Sequence, residues 1–383
     1  MALGRPSPLN VADYQELARR RLPAIVCGFL EGGAEDERGL TYNRSVFDRY
    51  RFEARRLRDV SRRTIAGSLL GRPVAAPFAI APTGVNGLFW PKGDLVLAQA
   101  AAHAGIPFVL STVSSMSLEE VARQSDGDRW FQLYVVRPEM ADALVRRALS
   151  CDYSTLVLTV DVTVNGGRER EQRTGFGLPV RYRPSIIWDG VRHPRWSMDL
   201  LRHGTPQLAN FTTFSSEDPE VQQAVMRREM DASFDWNALE RLRERWPRRL
   251  LVKGILSSAD AAQCVRLGAD GVILSNHGGR QLDALVSPMD VLASTVEALP
   301  GAAVLVDSGF RRGADIVKAL ALGSQGVLLG RATLYGLAAA GRRGVDHVIE
   351  LLKSEIDRTL ALLGCSSLAD LDRAMVHDIR SGE

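Results

Sequence analysis

The stretch Gly271-Val272-Ile273-Leu274-Ser275-Asn276-His277-Gly278-Gly279-Arg280-Gln281 decides how the chain is read. Its apolar start suits a strand buried on both faces, as in a parallel sheet, and the polar residues that follow then stand at the strand's mouth. A histidine with two glycines behind it and an arginine three residues on can present a base and a guanidinium to one small anion. A lone histidine more often sits in a surface turn, so the reading depends on what surrounds it.

Seven more apolar runs of this kind lie on either side: Phe78-Ala79-Ile80-Ala81, Phe108-Val109-Leu110-Ser111, Trp130-Phe131-Gln132-Leu133-Tyr134-Val135, Thr155-Leu156-Val157-Leu158-Thr159-Val160-Asp161, Leu250-Leu251-Val252-Lys253-Gly254, Ala303-Val304-Leu305-Val306-Asp307 and Gly326-Val327-Leu328-Leu329-Gly330. Between them, residues 94–104, 117–123, 138–149, 257–267, 287–299 and 313–322 have helical spacing. Eight βα units predict an α/β fold, a closed (β/α)8 barrel, over residues 77–364. Thr83, Ser111, Gln132, Tyr134, Thr159, Asp161, Lys253, Ser275 and Asp307 close the runs. That is the face on which barrel enzymes build their sites. Residues 1–76 read as an N-terminal extension. It opens with a helix over 11–29 that has Asn10 as N-cap, Pro23 dividing it and Gly32-Gly33 ending it.

Composition excludes several classes. The chain has 383 residues, 48 of them Lys or Arg against 45 Asp or Glu, a balance too even for a nucleic-acid binder defined by its overall field. Cys27, Cys151, Cys264 and Cys365 form no C-x-x-C pair, so no metal site and no disulfide framework is indicated, and a reducing compartment fits. No signal-peptide core and no membrane-spanning apolar run is seen, so the expectation is a protein neither secreted nor transmembrane.

Two features point to an anion at the barrel mouth. Asp307-Ser308-Gly309-Phe310-Arg311-Arg312-Gly313 and Gly330-Arg331 follow the last two runs, where barrels hold phosphate on backbone N–H groups and arginine. Lys253 ends an otherwise apolar strand, and burying it costs free energy unless it meets an anion.

Residues 275–281, with Leu251-Val252-Lys253-Gly254, Phe131-Gln132-Leu133-Tyr134 and residues 307–313, resemble the FMN-dependent L-2-hydroxy-acid dehydrogenase and oxidase family over nearly the whole chain. Pro91-Lys92-Gly93-Asp94, His193-Pro194-Arg195-Trp196-Ser197, Pro206-Gln207-Leu208-Ala209-Asn210-Phe211 and Met230-Asp231-Ala232-Ser233-Phe234 are most similar to its mandelate-oxidising branch. The resemblance implies His277 as the active-site base with Asp161 as its carboxylate partner. It implies Arg168 and Arg280 on the substrate carboxylate, Tyr134 bonded to the substrate, and Phe29 as a pocket wall where the family usually has a tyrosine. FMN is implied on Pro82, Thr83, Gly84, Ser111, Gln132, Thr159, Lys253, Ser275, Asp307 and Ser308, with its phosphate on Gly309, Arg311, Gly330 and Arg331. The implied reaction is oxidation of an (S)-2-hydroxy acid, (S)-mandelate to benzoylformate, by carbanion or hydride chemistry, with electrons passed to a membrane quinone. L-lactate dehydrogenation, an oxygen-using oxidase and a non-redox phosphate-binding barrel are the alternatives. Gly84 stands where the oxidases commonly carry alanine, which favours the dehydrogenase reading. A homo-tetramer is implied as well.

The connection over 165–237 is far longer than an ordinary βα loop. It carries Arg181, Arg183, Arg192, Arg195 and Arg202 interleaved with Ile186, Ile187, Trp188, Trp196, Leu200 and Leu201, a mixture suited to a membrane interface. A solvated lid or subunit contact is the plainer reading, and the family resemblance favours the membrane. The expected location is peripheral, on the cytoplasmic face of the cell membrane, with a soluble cytoplasmic protein as the alternative.

Overall fold

Pro23 prevents one continuous N-terminal helix, because it leaves a backbone donor missing and pushes the preceding residue to extended geometry. In the computed structural model, which describes residues 7–177, 183–211 and 230–379, the result is α1 (Val11–Arg21) and α2 (Ala24–Glu31), followed by α3 (Arg38–Ser45) and the short strand β1 (Tyr50–Phe52). The Asn10 side chain accepts the Asp13 N–H at 3.0 Å and caps α1. A hairpin of β2 (Gly67–Leu69) and β3 (Arg72–Val74) leads into the barrel.

The eight apolar runs are the eight strands of a closed parallel barrel. They are β4 (Phe78–Ile80), β5 (Phe108–Ser111), β6 (Arg129–Leu133), β7 (Thr155–Thr159), β8 (Arg249–Ile255), β9 (Gly271–Leu274), β10 (Ala303–Val306) and β11 (Gly326–Leu329). The barrel closes where β11 pairs with β4, Val327 opposite Phe78. A final strand, β12 (Val376–Asp378), returns to pair antiparallel with β1.

The helices anticipated from spacing form with ends shifted by a residue or so: α4 (Gly93–Ala104), α5 (Leu118–Gln124), α6 (Pro138–Ser150), and then, past the long connection, the three that follow β8, β9 and β10. Besides α3, five helices were not anticipated. Three lie in the long connection: α7 (Glu169–Thr174), α8 (Pro184–Arg192) and α9 (Pro194–His203). A fourth, α10 (Trp236–Arg245), is polar and buries only Leu239 and Leu242, which hid its periodicity. After α11 (Ser258–Arg266), α12 (Pro288–Ala298) and α13 (Gly313–Ala321) comes the fifth, α14 (Arg331–Leu363), which packs against α1 and α4.

Strand alternation sorts the core into two shells. Phe78, Ile80, Phe108, Leu110, Phe131, Leu156, Leu158, Leu250, Val252, Val272, Leu274, Val304 and Val306 point outward and pack with the helices. Ala79, Val109, Trp130, Val157, Leu251, Ile273, Leu305 and Leu328 fill the barrel interior, and Leu69, Leu70 and Val74 of the β2–β3 hairpin join them as a plug. Burial at about 25 cal/mol per Å² of apolar surface is the main stabilising term for both shells.

One backbone position breaks α14. Gly341 adopts φ 58° and ψ −137°, and a Cβ there would lie 2.4 Å from Cε2 of Trp90. That region of backbone space is essentially closed to other residues, at about 1–3 kcal/mol of strain. Gly341→Ala is therefore expected to lower the apparent Tm by several degrees in a circular-dichroism melt; an unchanged Tm would show that the kink does not depend on glycine.

Candidate active site

Each interior residue of the barrel has a partner two positions further along its strand, on the same inward face and at the carboxyl end. These positions hold Ala81, Ser111, Gln132, Thr159, Lys253, Ser275, Asp307 and Gly330. The polar ones bond to each other. Ser111 Oγ donates to Gln132 Oε1 at 2.9 Å. Lys253 Nζ donates to Ser275 Oγ at 2.8 Å and pairs with Asp307 Oδ2 at 3.0 Å, while Ser275 Oγ and Ser308 Oγ both donate to Asp307 Oδ1. Burial pulls the Lys253 ammonium down, but Asp307 and then Asp161 outweigh it, so its pKa is raised and it stays charged.

His277 follows β9 with φ +58°, a left-handed conformation rare for a residue with a Cβ, and Gly278 and Gly279 continue it at +67° and +73°. This turn is held by Ser275 Oγ, which accepts the His277 N–H at 3.0 Å. It places His277 Nδ1 2.9 Å from Asp161 Oδ1 and Nε2 3.3 Å from the Tyr134 hydroxyl. Burial holds the imidazole below its ordinary pKa, with Asp161 opposing. Burial would raise Asp161, yet His277 and Lys253 together keep it low. At neutral pH the pair is thus a carboxylate and a neutral imidazole. Its Nδ1–H donates to Asp161, and the Nε2 lone pair is left as the base.

The guanidinium groups converge on one helix end. Arg280 Nη1 donates to the carbonyls of Phe29 (2.9 Å) and Gly32 (2.7 Å). Arg331 donates to those of Leu30 (3.0 Å), Gly32 (2.8 Å) and Gly278 (2.9 Å). The last carbonyls of α2 lack intrahelical donors and carry the negative end of its dipole, so cations settle there. Burial, followed by the neighbouring Arg280, pushes Arg331 down to about 9. Burial also lowers Arg311, whose guanidinium lies 5.5 Å from the Tyr335 ring centroid. Arg168 Nη2 donates to Gln281 Oε1 at 2.8 Å and Nε to the Arg280 carbonyl at 3.2 Å.

A model of the family described as FMN-dependent dehydrogenase matches residues 18–378. The chain belongs to the FMN-dependent dehydrogenase family. Among its relatives is (S)-mandelate dehydrogenase of Pseudomonas putida, 59% identical over 94% of this chain and 92% of that protein. Another is L-lactate oxidase of a Nostoc species, 41% identical over 97% of this chain and 98% of that one. A crystal structure of the monotopic membrane protein (S)-mandelate dehydrogenase superposes with TM-score 0.94 and 57% identity, covering 97% of this chain and 100% of that one. The cofactor is FMN and the reaction is oxidation of a 2-hydroxy acid.

In this FMN-dependent dehydrogenase the barrel mouth opens into a cavity. It is lined by Pro82, Thr83, Gly84, Ser111, Thr159, Lys253, Asp307, Ser308, Gly309, Arg311, Gly330 and Arg331, and also by Phe29, Tyr134, Arg168, His277 and Arg280. Three of the residues anticipated from sequence do not line it. Gln132 and Ser275 stand in the same inward level but are turned to Ser111 and Lys253, and Asp161 lies behind His277. The residues fit a flavin. Gln132 Nε2 and Thr159 Oγ1 are buried polar atoms with no partner among the described residues, a costly state that a heteroaromatic ring with amide-like edges relieves. Burial lowers the pKa of both Arg311 and Arg331, and a phosphate beside them would offset that cost.

Among the residues not anticipated are Glu171, Phe89, Leu208 and Met230. The last three are cavity-lining side chains from loops. Glu171 Oε1 lies 2.5 Å from Arg280 Nη2 and 3.7 Å from Arg168 Nη1. Its spacing of three from Arg168 was the available signal.

With His277 taken as the base, its neutral imidazole would set a pH profile. Because burial places the pKa of His277 below its ordinary 6.5, kcat/KM should hold from neutral pH down to that lower pKa and fall as His277 becomes protonated. Asp161→Asn removes the partner that raises this pKa, so the acid limb should move lower still while the plateau drops. His277→Ala should keep FMN and lose about 10²–10⁴ in turnover. An acid limb above pH 6.5, or one that rises in Asp161→Asn, contradicts the assignment.

Proposed function

We propose that this enzyme oxidises (S)-mandelate to benzoylformate and passes the electrons to a quinone, resting on the cytoplasmic face of the cell membrane through α8 and α9. The observation that carries the substrate is the character of the cavity wall. Phe29, Val85, Phe89, Val113, Leu208 and Met230 give the lining an apolar share, and Arg168, Arg280, Tyr134 and His277 give it a polar one, with the Arg280 guanidinium 5.4 Å from the Phe29 ring centroid where the two meet. Phe29 stacks on Phe176 with centroids 4.3 Å apart and on Phe89 at 5.9 Å, which stiffens that wall. A phenyl group beside a hydroxyl and a carboxylate matches this division, and the 59%-identical relative carries mandelate in its name.

Each residue then has a task. Arg280 has Nε–H and one Nη2–H unused among the described residues, and with Arg168 it holds the substrate carboxylate by charge-assisted bonds. The Tyr134 hydroxyl and His277 Nε2, 3.3 Å apart, bracket the carbinol group. His277 accepts a substrate proton at Nε2, and the ionised Asp161 on Nδ1 stabilises the imidazolium. FMN, when bound, supplies the two-electron acceptor. Lys253, kept protonated by Asp307, contributes positive charge on that side.

The membrane reading rests on exposed apolar side chains. Ile187, Trp188, Val191, Met198 and Leu201 are 46–84% exposed on α8 and α9, interspersed with Arg183, Arg192, Arg195 and Arg202. Arg181 lies outside the described residues. The pair is fastened to the body: Trp196 Nε1 donates to the Leu88 carbonyl at 2.7 Å, Arg21 pairs with Asp199 at 2.5 Å, and Asp189 accepts the Ala24 N–H at 2.6 Å. No helix among the described residues is long and apolar enough to cross a membrane, so contact is peripheral. A quinone suits that placement because it is carried by the bilayer.

Anaerobic (S)-mandelate is expected to bleach the flavin absorption faster than L-lactate or glycolate; bleaching led by lactate would transfer the assignment to lactate. Trp188→Asp with Leu201→Asp should cut co-sedimentation with phosphatidylglycerol vesicles by about tenfold or more, since each apolar anchor contributes roughly 1.5–3 kcal/mol, and should leave flavin reduction by mandelate intact. Wild-type protein that stays in the supernatant would end the membrane reading.

A further inference from the structure

The two substrate arginines do not face the cavity as bare cations. Arg168 and Arg280 have side chains only 10% and 14% exposed, and two desolvated guanidinium groups side by side repel. Between them stands Glu171, whose side chain is 9% exposed and whose single oxygen Oε1 reaches Arg280 Nη2 at 2.5 Å and Arg168 Nη1 at 3.7 Å. The carboxylate is delivered by α7, the one-and-a-half-turn helix that begins directly after Arg168, so cation and anion come from one local element. We propose that Glu171 sets the charge the substrate site will accept: it leaves one positive charge among these three side chains and so selects 2-hydroxy acids bearing a single carboxylate against dianionic ones. This inference rests on the reading of Arg168 and Arg280 as the carboxylate grip.

Neighbouring charges decide the selection. Any substrate carboxylate on the remaining donors of Arg280 shares that guanidinium with Glu171, so the two anions repel across it. A monoanion meets an excess of positive charge and is held. A second carboxylate on the same carbon, as in a 2-hydroxy diacid, adds a charge that the trio cannot neutralise, with Glu171 repelling both. The nearby Lys253 does not alter this, because Asp307 already pairs with it at 3.0 Å. Arg331 is committed to the carbonyls of Leu30, Gly32 and Gly278. Glu171 touches neither the reacting carbon's base, His277, nor Asp161; it is a positioning residue that acts through the arginines.

The test uses the FMN-loaded enzyme and three probes that lack an oxidisable carbinol, so binding is read from the change in flavin absorption without turnover: oxalate, a dianion; phenylacetate, a monoanion; and phenylacetamide, which is neutral. In Glu171→Gln, which keeps the shape and an acceptor for Arg280, oxalate should tighten by about tenfold or more, phenylacetate by less, and phenylacetamide should not move. Equal shifts for all three probes, or no greater gain for oxalate than for phenylacetate, overturns the proposal and leaves Glu171 a structural contact. Glu171→Asp keeps the charge at a shorter reach and decides the matter if the Gln variant does not hold FMN. It should bind all three more weakly in the wild-type order, and a gain for oxalate overturns the proposal. A wild-type enzyme that binds these probes while mandelate fails to bleach its flavin would instead defeat the choice of mandelate and leave the role of Glu171 standing.

Discussion

A closed barrel allows each strand to send only every second side chain inward, and this alternation governs the molecule. The inward positions come in two levels. The lower level is apolar, from Ala79 round to Leu328, and the upper level is polar or small, from Ala81 round to Gly330. The upper level pairs its charges internally, Lys253 with Asp307 and Ser275 between them, because an unpaired ammonium at that depth is costly. One residue of slip in any strand would exchange its inner and outer sets. The apolar lower level that plugs the barrel therefore also fixes which residues reach the cofactor.

The N-terminal extension belongs to the same construction. The carbonyls at the end of α2 hold Arg280 and Arg331, and the side chain of Phe29 from the same helix forms part of the cavity wall. A barrel alone would leave both guanidinium groups to find other acceptors, with their burial uncompensated. Asn43 and Asn276 tie α3 to the turn before His277 through two hydrogen bonds of 2.8 Å, so the base and the arginines are referenced to one outer layer.

The barrel was legible because its strands are continuous apolar runs, and the upper-level residues were legible because they interrupt those runs at a constant place. Lys253 inside an apolar strand is the clearest example. What escaped has a physical reason in each case. Helix α10 buries two leucines only, and α14 contains a residue pair, Ala340 and Gly341, outside helical geometry. The strands of the β2–β3 hairpin are three residues long, too short to show a period. Glu171 looked like one acid among many in an arginine-rich segment, and its importance comes from a contact with Arg280, distant in sequence. Gln132, Ser275 and Asp161 showed as polar strand ends, but only their bonds to Ser111, Lys253 and His277 reveal that they support the cavity surface without lining it.

The hairpin plug has a consequence for traffic. Leu69, Leu70 and Val74 pack with the apolar side chains that fill the barrel interior and close it on the amino side. Among the described residues the filled interior turns His277 towards the carboxyl-end mouth, for entry and for exit alike. Among the described residues the keto acid and a bulky electron acceptor thus share one approach, and the first has to clear it before the second can come close. Double-displacement kinetics, with parallel lines in a reciprocal plot, are the natural rate law of such an architecture.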